Sequence, residues 1–582
     1  MRAALDQGDL IEAFALAAEA RVTGRRRDEL QYLQALALAR MGDIDQAWTL
    51  CAELAQAPEA SADVEALQAR LIKDRAFRAR GAARSRLLAS AAQAYASIAG
   101  ADGSYFPLIN AASLAYMAGD RQAGRARAAQ VLRTPEIARG YAYWPLASKA
   151  EALLLLGDSE EAEAAMRLAV AQADCSDGAR SSTTHQFQRL GDAGGFGPGV
   201  IAGLTAISKP APVCCFSGHI FQANAEDERR VDAAIDAWLV RTGVRIGYGA
   251  AAAGADILIG ERLLDRGGEA HIVLPFDRDD FVAASVRPAG EAWLPRFEAL
   301  LQRATSVRYA STMRYVGDDG QFNYGTDFAM GLARLRARHR RSDTVHLAVW
   351  NGRRTPGSAG TARNVAVWES LGGATQVIEP GPIAKPRHSD NPFPNAGGEH
   401  GRATNAIIFA DFHGFSRIPE HHLPTFWREV MGRAAKVISQ AGERVLARNS
   451  WGDALFLVLP DACAAAELAM ALRNELAKID ARELGLDRAG VRIALHLGPM
   501  YHAVDPVTGM ANFFGSEVSR AARLEPVTPL NTIYATEPFA AALALATPEA
   551  FDLRYCGKVE LAKGYGAAAV FRVDPGEVSD AI

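Results

Sequence analysis

The chain has 582 residues, with 63 Lys+Arg against 67 Asp+Glu and a formal net charge of −4 at pH 7. That near balance argues against a basic nucleic-acid surface or a polybasic membrane patch, and no apolar run approaches the ~20 residues that a membrane span needs. The length supports three or four domains of ~150 residues each.

The N-terminal stretch MRAALDQGDLIEAF lacks the apolar core of a signal peptide. Six scattered Cys include one adjacent pair, Cys214–Cys215, and no C-x-x-C. Both features predict a cytoplasmic chain with reduced thiols and no structural zinc.

Residues 1–180 are rich in Ala and Leu at helical spacing. A Gly-Asp signature recurs: QGD at Gln7, MGD at Met41, AGD at Ala118 and LGD at Leu156. Each precedes a helical pattern carrying Ala at one face (Ala13, Ala47, Ala123, Ala162). Gly ends one helix in the left-handed region, and Asp caps the next. The first two signatures stand one period of ~34 residues apart. This region resembles a divergent tetratricopeptide array. FPLINAASLAYMAGD (Phe106–Asp120) further resembles the TRAFs-binding type of helical repeat. The resemblance implies a concave face for a protein partner or for dimer contacts; a generic helical bundle is the plainer alternative. Residues 181–208, including GDAGGFGPG (Gly191–Gly199), read as a Gly-rich linker.

Residues 209–380 alternate strand and helix signals, which predicts a parallel sheet of doubly wound, Rossmann-like type. VCCFS (Val213–Ser217) is a buried strand ending at Gly218–His219. Val231, Ala234, Ile235, Trp238 and Leu239 mark one face of the following helix. DTVHLAVWNG (Asp343–Gly352) is a later strand, and PGSAGTARNVAVWESLG (Pro356–Gly372) a Gly-rich turn feeding a helix, an anion-ready site. The pattern resembles the SLOG superfamily through Gly218, Gly254–Ala255–Asp256, Gly357, Gly360 and Thr361. The resemblance implies a nucleotide-like ligand on Gly218, Gly357, Gly360 and Thr361. Asn364 stands where hydrolytic members carry Glu, which implies sensing without hydrolysis. A purely structural spacer is the alternative. His219 and His271, at strand edges, are expected to be hydrogen-bonded and not ligands.

Residues 381–402 form a Pro/Gly/polar linker. His388, His400 and the pair His421–His422 do not make metal-ligand spacing.

The densest chemistry lies in 403–575. IIFADFHGFSR (Ile407–Arg417) is an apolar strand that delivers Asp411 at its end, followed by a turn through Gly414 and Phe415. ARNSWGDALFLVLP (Ala447–Pro460) is strand–turn–strand, with Gly452 and Asp453 at the tip. This places Asp453 beside Asp411, and two carboxylates aimed at one point repel unless a cation lies between them. Taken singly, Asp411 reads equally as a helix cap and Asp453 as a turn residue. RIALHLGPM (Arg492–Met500) is a strand ending in Gly-Pro. After Gly515 a helix packs Val518, Ala521, Ala522 and Leu524 on one face and shows Ser519 and Arg523 on another. VELAKGYGAAAVFRV (Val559–Val573) reads as a hairpin carrying Lys563.

These blocks, in this order, resemble the class III nucleotidyl cyclase catalytic domain, an α+β fold of ferredoxin-like kind. The resemblance implies two Mg²⁺ or Mn²⁺ ions on Asp411, Asp453 and the Phe412 backbone, with phosphates at Gly414 and Phe415. It implies that Arg523 meets the transition-state charge, that Ser519 replaces a ribose-orienting Asn, and that Lys563 grips the triphosphate. Arg520, beside Ser519, reads either as an additional cation that compensates for the missing Asn or as a solvent-facing residue, the second being the plainer. It further implies a homodimer that turns a nucleoside triphosphate into a 3′,5′-cyclic nucleotide and pyrophosphate. Asn449 and Asn512 stand where adenylate cyclases carry a base-reading Lys and acid. ATP is the expected substrate, with GTP or a pyrimidine triphosphate left open by the two amides. Asn449, Asn512 and Ser519 also keep alive a catalytically weak pseudo-cyclase acting as a ligand-sensing scaffold.

Overall fold

The computed structural model describes residues 27–41, 43–56, 62–222, 224–353, 359–381, 401–547 and 549–576, with isolated positions between 5 and 17. They fall into two compact units, Met1–Pro210 with His339–Ser342, and Ala211–Arg338 with Asp343–Ile582. Gln7, Gly357, His388, His400 and most of 381–402 lie outside the described residues. No helix among the described residues is long and apolar enough to cross a membrane. No disulfide joins the six cysteines.

The first unit is helical: α1 (Arg27–Met41), α2 (Ile44–Ala55), α3 (Ala62–Arg78), α4 (Gly81–Asp102), α5 (Tyr105–Met117), α6 (Arg121–Val131), α7 (Tyr143–Leu156) and α8 (Ser159–Val170). Neighbours along the chain pack side by side. The Gly-Asp signatures sit at the junctions. Gly119 (φ 103°) and Gly157 (φ 102°) take the left-handed backbone that favours glycine. Asp43 accepts from Gln46 N at 3.1 Å and Asp120 from Ala123 N at 2.9 Å, satisfying first-turn amides. Ala47 and Ala162 are fully buried, because close helix approach leaves room for only a methyl group.

The predicted linker at 181–208 is helical. α9 (Asp177–Asp192) and α10 (Pro198–Ser208) bury Phe187, Leu190 and Leu204 completely. Arg180 ties them together by donating to Ser208 O (3.1 Å) and Ile207 O (3.2 Å). The glycines mislead because they sit between the helices, with Gly194 (φ 74°) and Gly195 (φ 96°) making the turn. Pro198 starts α10, where a missing amide costs nothing.

The second unit holds two sheets. The first contains β1 (Val213–Gly218), β2 (Ile246–Gly249), β3 (Glu269–Leu274), β4 (Ser306–Tyr309), β5 (Thr344–Val349) and β6 (Thr375–Ile378). All are parallel, in the order β4-β3-β2-β1-β5-β6. Crossovers include α11 (Ala225–Thr242), α12 (Ala255–Asp265), α13 (Arg278–Ser285), α14 (Trp293–Arg303), α15 (Asp319–Arg340) and α16 (Thr361–Ser370). The strand order turns back between β1 and β5, and a crevice for ligands characteristically opens beyond the strand ends at such a point.

The second sheet contains β7 (Gly401–His413), β8 (Ala447–Trp451), β9 (Ala454–Leu459), β10 (Gly490–Val504), β11 (Ala511–Phe514), β12 (Thr532–Thr536), β13 (Phe551–Glu560) and β14 (Ala567–Pro575). Its order is β13-β14-β12-β10-β7-β9-β8, with β11 paired to β10. With α17 (Gly432–Gln440) and α18 (Ala462–Leu476) between strands, the segment β10-β7-β9-β8 has the order of a ferredoxin-like sheet. β7 is therefore central, and its apolar run Ile407–Ile408 is fully buried. α19 (Ser516–Leu524) and α20 (Glu537–Ala546) follow β11 and β12.

α15 joins the two sheets. Gly331 comes so close to α20 that an added Cβ would lie 2.3 Å from Ala541 O. Arg334 donates to Leu545 O and stacks over Trp368, and Arg338 donates to Phe551 O at 2.7 Å.

Candidate active site

Sheet register brings the acidic pair together. Asp411 on β7 is the cross-strand partner of Ala454 on β9, so Asp453, one residue earlier, stands next to it at the hairpin tip. Gly452 (φ 66°) leads that two-residue turn, in the position where a type II′ hairpin demands glycine. On the other side Asp411 pairs with Arg492 of β10. The two carboxyls are close enough to share a hydrogen bond. Burial, then the charge of Asp411, pushes the Asp453 carboxyl up to about 6.

Phe412 is 2% exposed, its ring set edge-on to Phe426, so only its backbone is available to a ligand. Gly414 (φ 103°) turns the chain where a Cβ would meet Leu486 Cδ1 at 3.0 Å. Phe415 packs on Phe426 at 4.8 Å between ring centroids and lies against Gly452, which props the hairpin tip.

Glu525 is the group that sequence reasoning missed. It follows α19 in a turn packed against β7 and β10. Burial and the charges of Asp411 and Asp453 hold it up to about 7 while Arg492 opposes them, and its Oε1 is buried without a partner. Its distance along the chain hid it; the one available signal was an acid two residues after Arg523.

The base-reading candidates are Asn449 on β8, exposed, and Asn512 on β11, half-buried. Asn449 Oδ1 accepts from Ser450 N (2.8 Å). Asn512 accepts from Phe513 N (2.8 Å) and donates to Asp505 (3.0 Å). Ser519 is exposed and Arg523 half-buried on α19. The structure brings Asp411 and Asp453 together within one chain, with Glu525 near enough for its charge to act with theirs; among the described residues no three His, Cys, Asp or Glu side chains form a metal-ready group. Lys563 sits in the β13–β14 turn with a left-handed backbone (φ 61°, ψ 33°). Arg520 corrects the sequence reading: it is not simply solvent-facing, because its Nε lies 3.5 Å from the buried Glu517 carboxylate.

In the parallel sheet, Gly218 is required by packing, since a Cβ would fall 2.2 Å from Ala255 Cβ. Gly360 (φ 121°) opens α16 just ahead of the buried Thr361. Two buried side chains here each keep one oxygen without a partner, Asp256 Oδ1 and Asn364 Oδ1. Burial pushes the Asp256 carboxyl up to about 7. His219 Nε2 meets Asn351 Oδ1 at 3.0 Å, and His271 is held by Ser306 (2.8 Å) and Glu269 (3.0 Å).

Residues 8–115 match the family described as Tetratricopeptide Repeats-Sensor. No curated protein matches the sequence. Among solved structures, the chain is similar to the guanylate cyclase domain of RhGC from Catenaria anguillulae in complex with GTP (18% identity, 30% of this chain, 97% of that one, TM-score 0.26). It is also similar to the adenylyl cyclase CyaB from P. aeruginosa (16% identity, 31% and 98% coverage, TM-score 0.28). A third is an adenylate cyclase from Trypanosoma brucei in its monomeric state (17% identity, 30% and 89% coverage, TM-score 0.26).

Proposed function

We propose that the chain is a nucleotidyl cyclase that converts a nucleoside triphosphate, ATP first, into a 3′,5′-cyclic nucleotide and pyrophosphate. The observation that carries this reading is the Asp411–Asp453 pair, two carboxyls close enough to hydrogen-bond to each other at a strand end. The donor set suits hard divalent cations: two adjacent carboxyls, Asp411 and Asp453, with the charge of Glu525 acting beside them. Asp411, Asp453 and the Phe412 backbone would hold Mg²⁺ or Mn²⁺, which when bound lowers the pKa of the attacking hydroxyl and offsets phosphate charge. Gly414 and Phe415 present the turn on which phosphates rest.

Arg523 and Ser519 serve a second copy of the chain in this reading. Ser519 is exposed on α19 and so is open to such a partner. The site is then completed in a homodimer, with Lys563 on the triphosphate. Asn449 and Asn512 turn their amides to their own backbones and to Asp505, which leaves GTP or a pyrimidine triphosphate as alternatives. The same observation, with Ser519 in place of Asn, supports the second reading, a weak cyclase-like scaffold that senses a ligand.

The Rossmann-like crevice at Gly218, Gly360 and Thr361 takes a nucleotide-like ligand in this proposal, supported by the unpartnered oxygens of Asp256 and Asn364. The repeats supply a protein-binding face. Purified protein with Mn²⁺ and each of the four nucleoside triphosphates, products separated by chromatography, tests the reading. Asp411→Ala and Asp453→Ala should each abolish cyclic product with the fold intact; product persisting in both would end it.

A further inference from the structure

The cyclase reading leaves unexplained a buried ionisable group on the arginine helix itself. Glu517 lies in the first turn of α19 and is 2% exposed. Its Oε2 accepts from His496 Nε2 at 2.8 Å, and Arg520 Nε approaches the same oxygen at 3.5 Å. His496 is fully buried, and its Nδ1 meets Thr536 Oγ1 at 2.7 Å. A carboxylate only accepts, so Nε2 carries the proton it donates to Glu517, and Nδ1 shares a hydrogen bond with the Thr536 hydroxyl. Gly498 makes the crossing possible, since a Cβ there would stand 2.7 Å from Glu517 Cγ.

The other carboxylate oxygen reaches the parallel sheet. Ser311 Oγ donates to Glu517 Oε1 at 3.3 Å, and Ser311 is itself 2% exposed. It belongs to the loop that follows β4. Two residues on, Met313 Sδ receives the Ser516 hydroxyl at 3.0 Å. The loop is stiff: Ala310 N donates to Leu274 O (2.8 Å), Asp277 N to Met313 O (3.1 Å), and Asp280 accepts from Arg314 Nε (2.6 Å) and Tyr315 N (2.8 Å).

We infer that Glu517 is a positioning residue for Arg523 and Ser519, and that the loop after β4 reaches it through Ser311 as a strut from the parallel sheet. The inference rests on the cyclase reading of the site. The strut springs from the strand-end side of that sheet, at its β4 edge. A displacement of ~1 Å at a catalytic group can cost about a hundredfold in rate.

The test uses the full chain. Ser311→Ala removes one hydrogen bond remote from triphosphate and metal. It should lower kcat about tenfold, a fraction of the ~100-fold that a full ångström costs, while KM and the Mn²⁺ Kd stay within twofold. Amide hydrogen exchange should quicken over residues 516–524 and stay unchanged over 454–459. Glu517→Gln should act in the same direction and further; should it fail to fold, Ser311→Ala decides alone. Unchanged kcat with unchanged exchange at 516–524 overturns the strut, as does a uniform rise in exchange across both segments. Should the wild-type chain form no cyclic product at all, the loss falls on the proposed reaction, and the exchange comparison still decides the strut.

Discussion

Asp453 and Glu525 are costly to the folded chain as long as no cation joins them. Burial and neighbouring charge raise the first to about 6 and the second to about 7. The unfolded chain releases these protons near ~4. Between those values the native state binds more protons than the unfolded state, so stability from these groups falls as pH rises through about 6 and 7. Asp453→Asn should therefore raise the melting temperature of the cation-free protein at pH 7.5. The full linkage value of ~3 kcal/mol is cut by solvent screening at this half-exposed turn to about 1 kcal/mol. Glu525→Gln should do the same at pH 8, with calorimetry in EDTA as the measurement. Adding Mn²⁺ should stabilise the wild type, and Asp453→Asn should lose that response. A melting temperature that drops in both variants without metal would show packing, not charge, at the pair.

The strand end and hairpin tip were readable because each is local: an apolar run ending in Asp411, and Gly452–Asp453 between two short apolar segments. Their meeting follows from antiparallel register, which an alternating pattern specifies well. Glu525 was unreadable because a turn beyond β11 and α19 reaches the pair only through the pairing of β7 with β10. Residues 177–208 failed for a different reason. Glycine content signalled a linker, while the buried spacing of Thr183, Thr184, Phe187 and Leu190 carried the helix. Arg523 belongs at this scale as well, since in the proposed dimer its helix serves the partner's acidic pair. Mixing inactive Asp411→Ala with inactive Arg523→Ala should restore cyclic product, because half of a random mixture pairs one intact set of parts. No recovery after subunit exchange would place both residues in one chain's site. Arg523→Ala alone should lower turnover at least ~100-fold, as for a lost charge donor, with Mn²⁺ affinity unchanged.

The two sheets of the second unit are joined by side chains that no local pattern announced. Gly331 lies inside the long helix α15, and its bare Cα is what admits Ala541 of α20. Gly331→Leu should cost ~1–3 kcal/mol through overpacking, read as an earlier unfolding transition in denaturant. It should also loosen α19, if the parallel sheet governs that helix. The unpaired thiols offer a way to watch such events region by region. Cys51 is fully buried in the repeats and Cys214 lies within β1, while Cys463 is half-buried on α18. Burial raises all three thiols, Cys51 to about 11, so each is sluggish toward alkylation until its surroundings open. A single labelling time course, resolved peptide by peptide, would then serve as three independent clocks, one for each part of the chain.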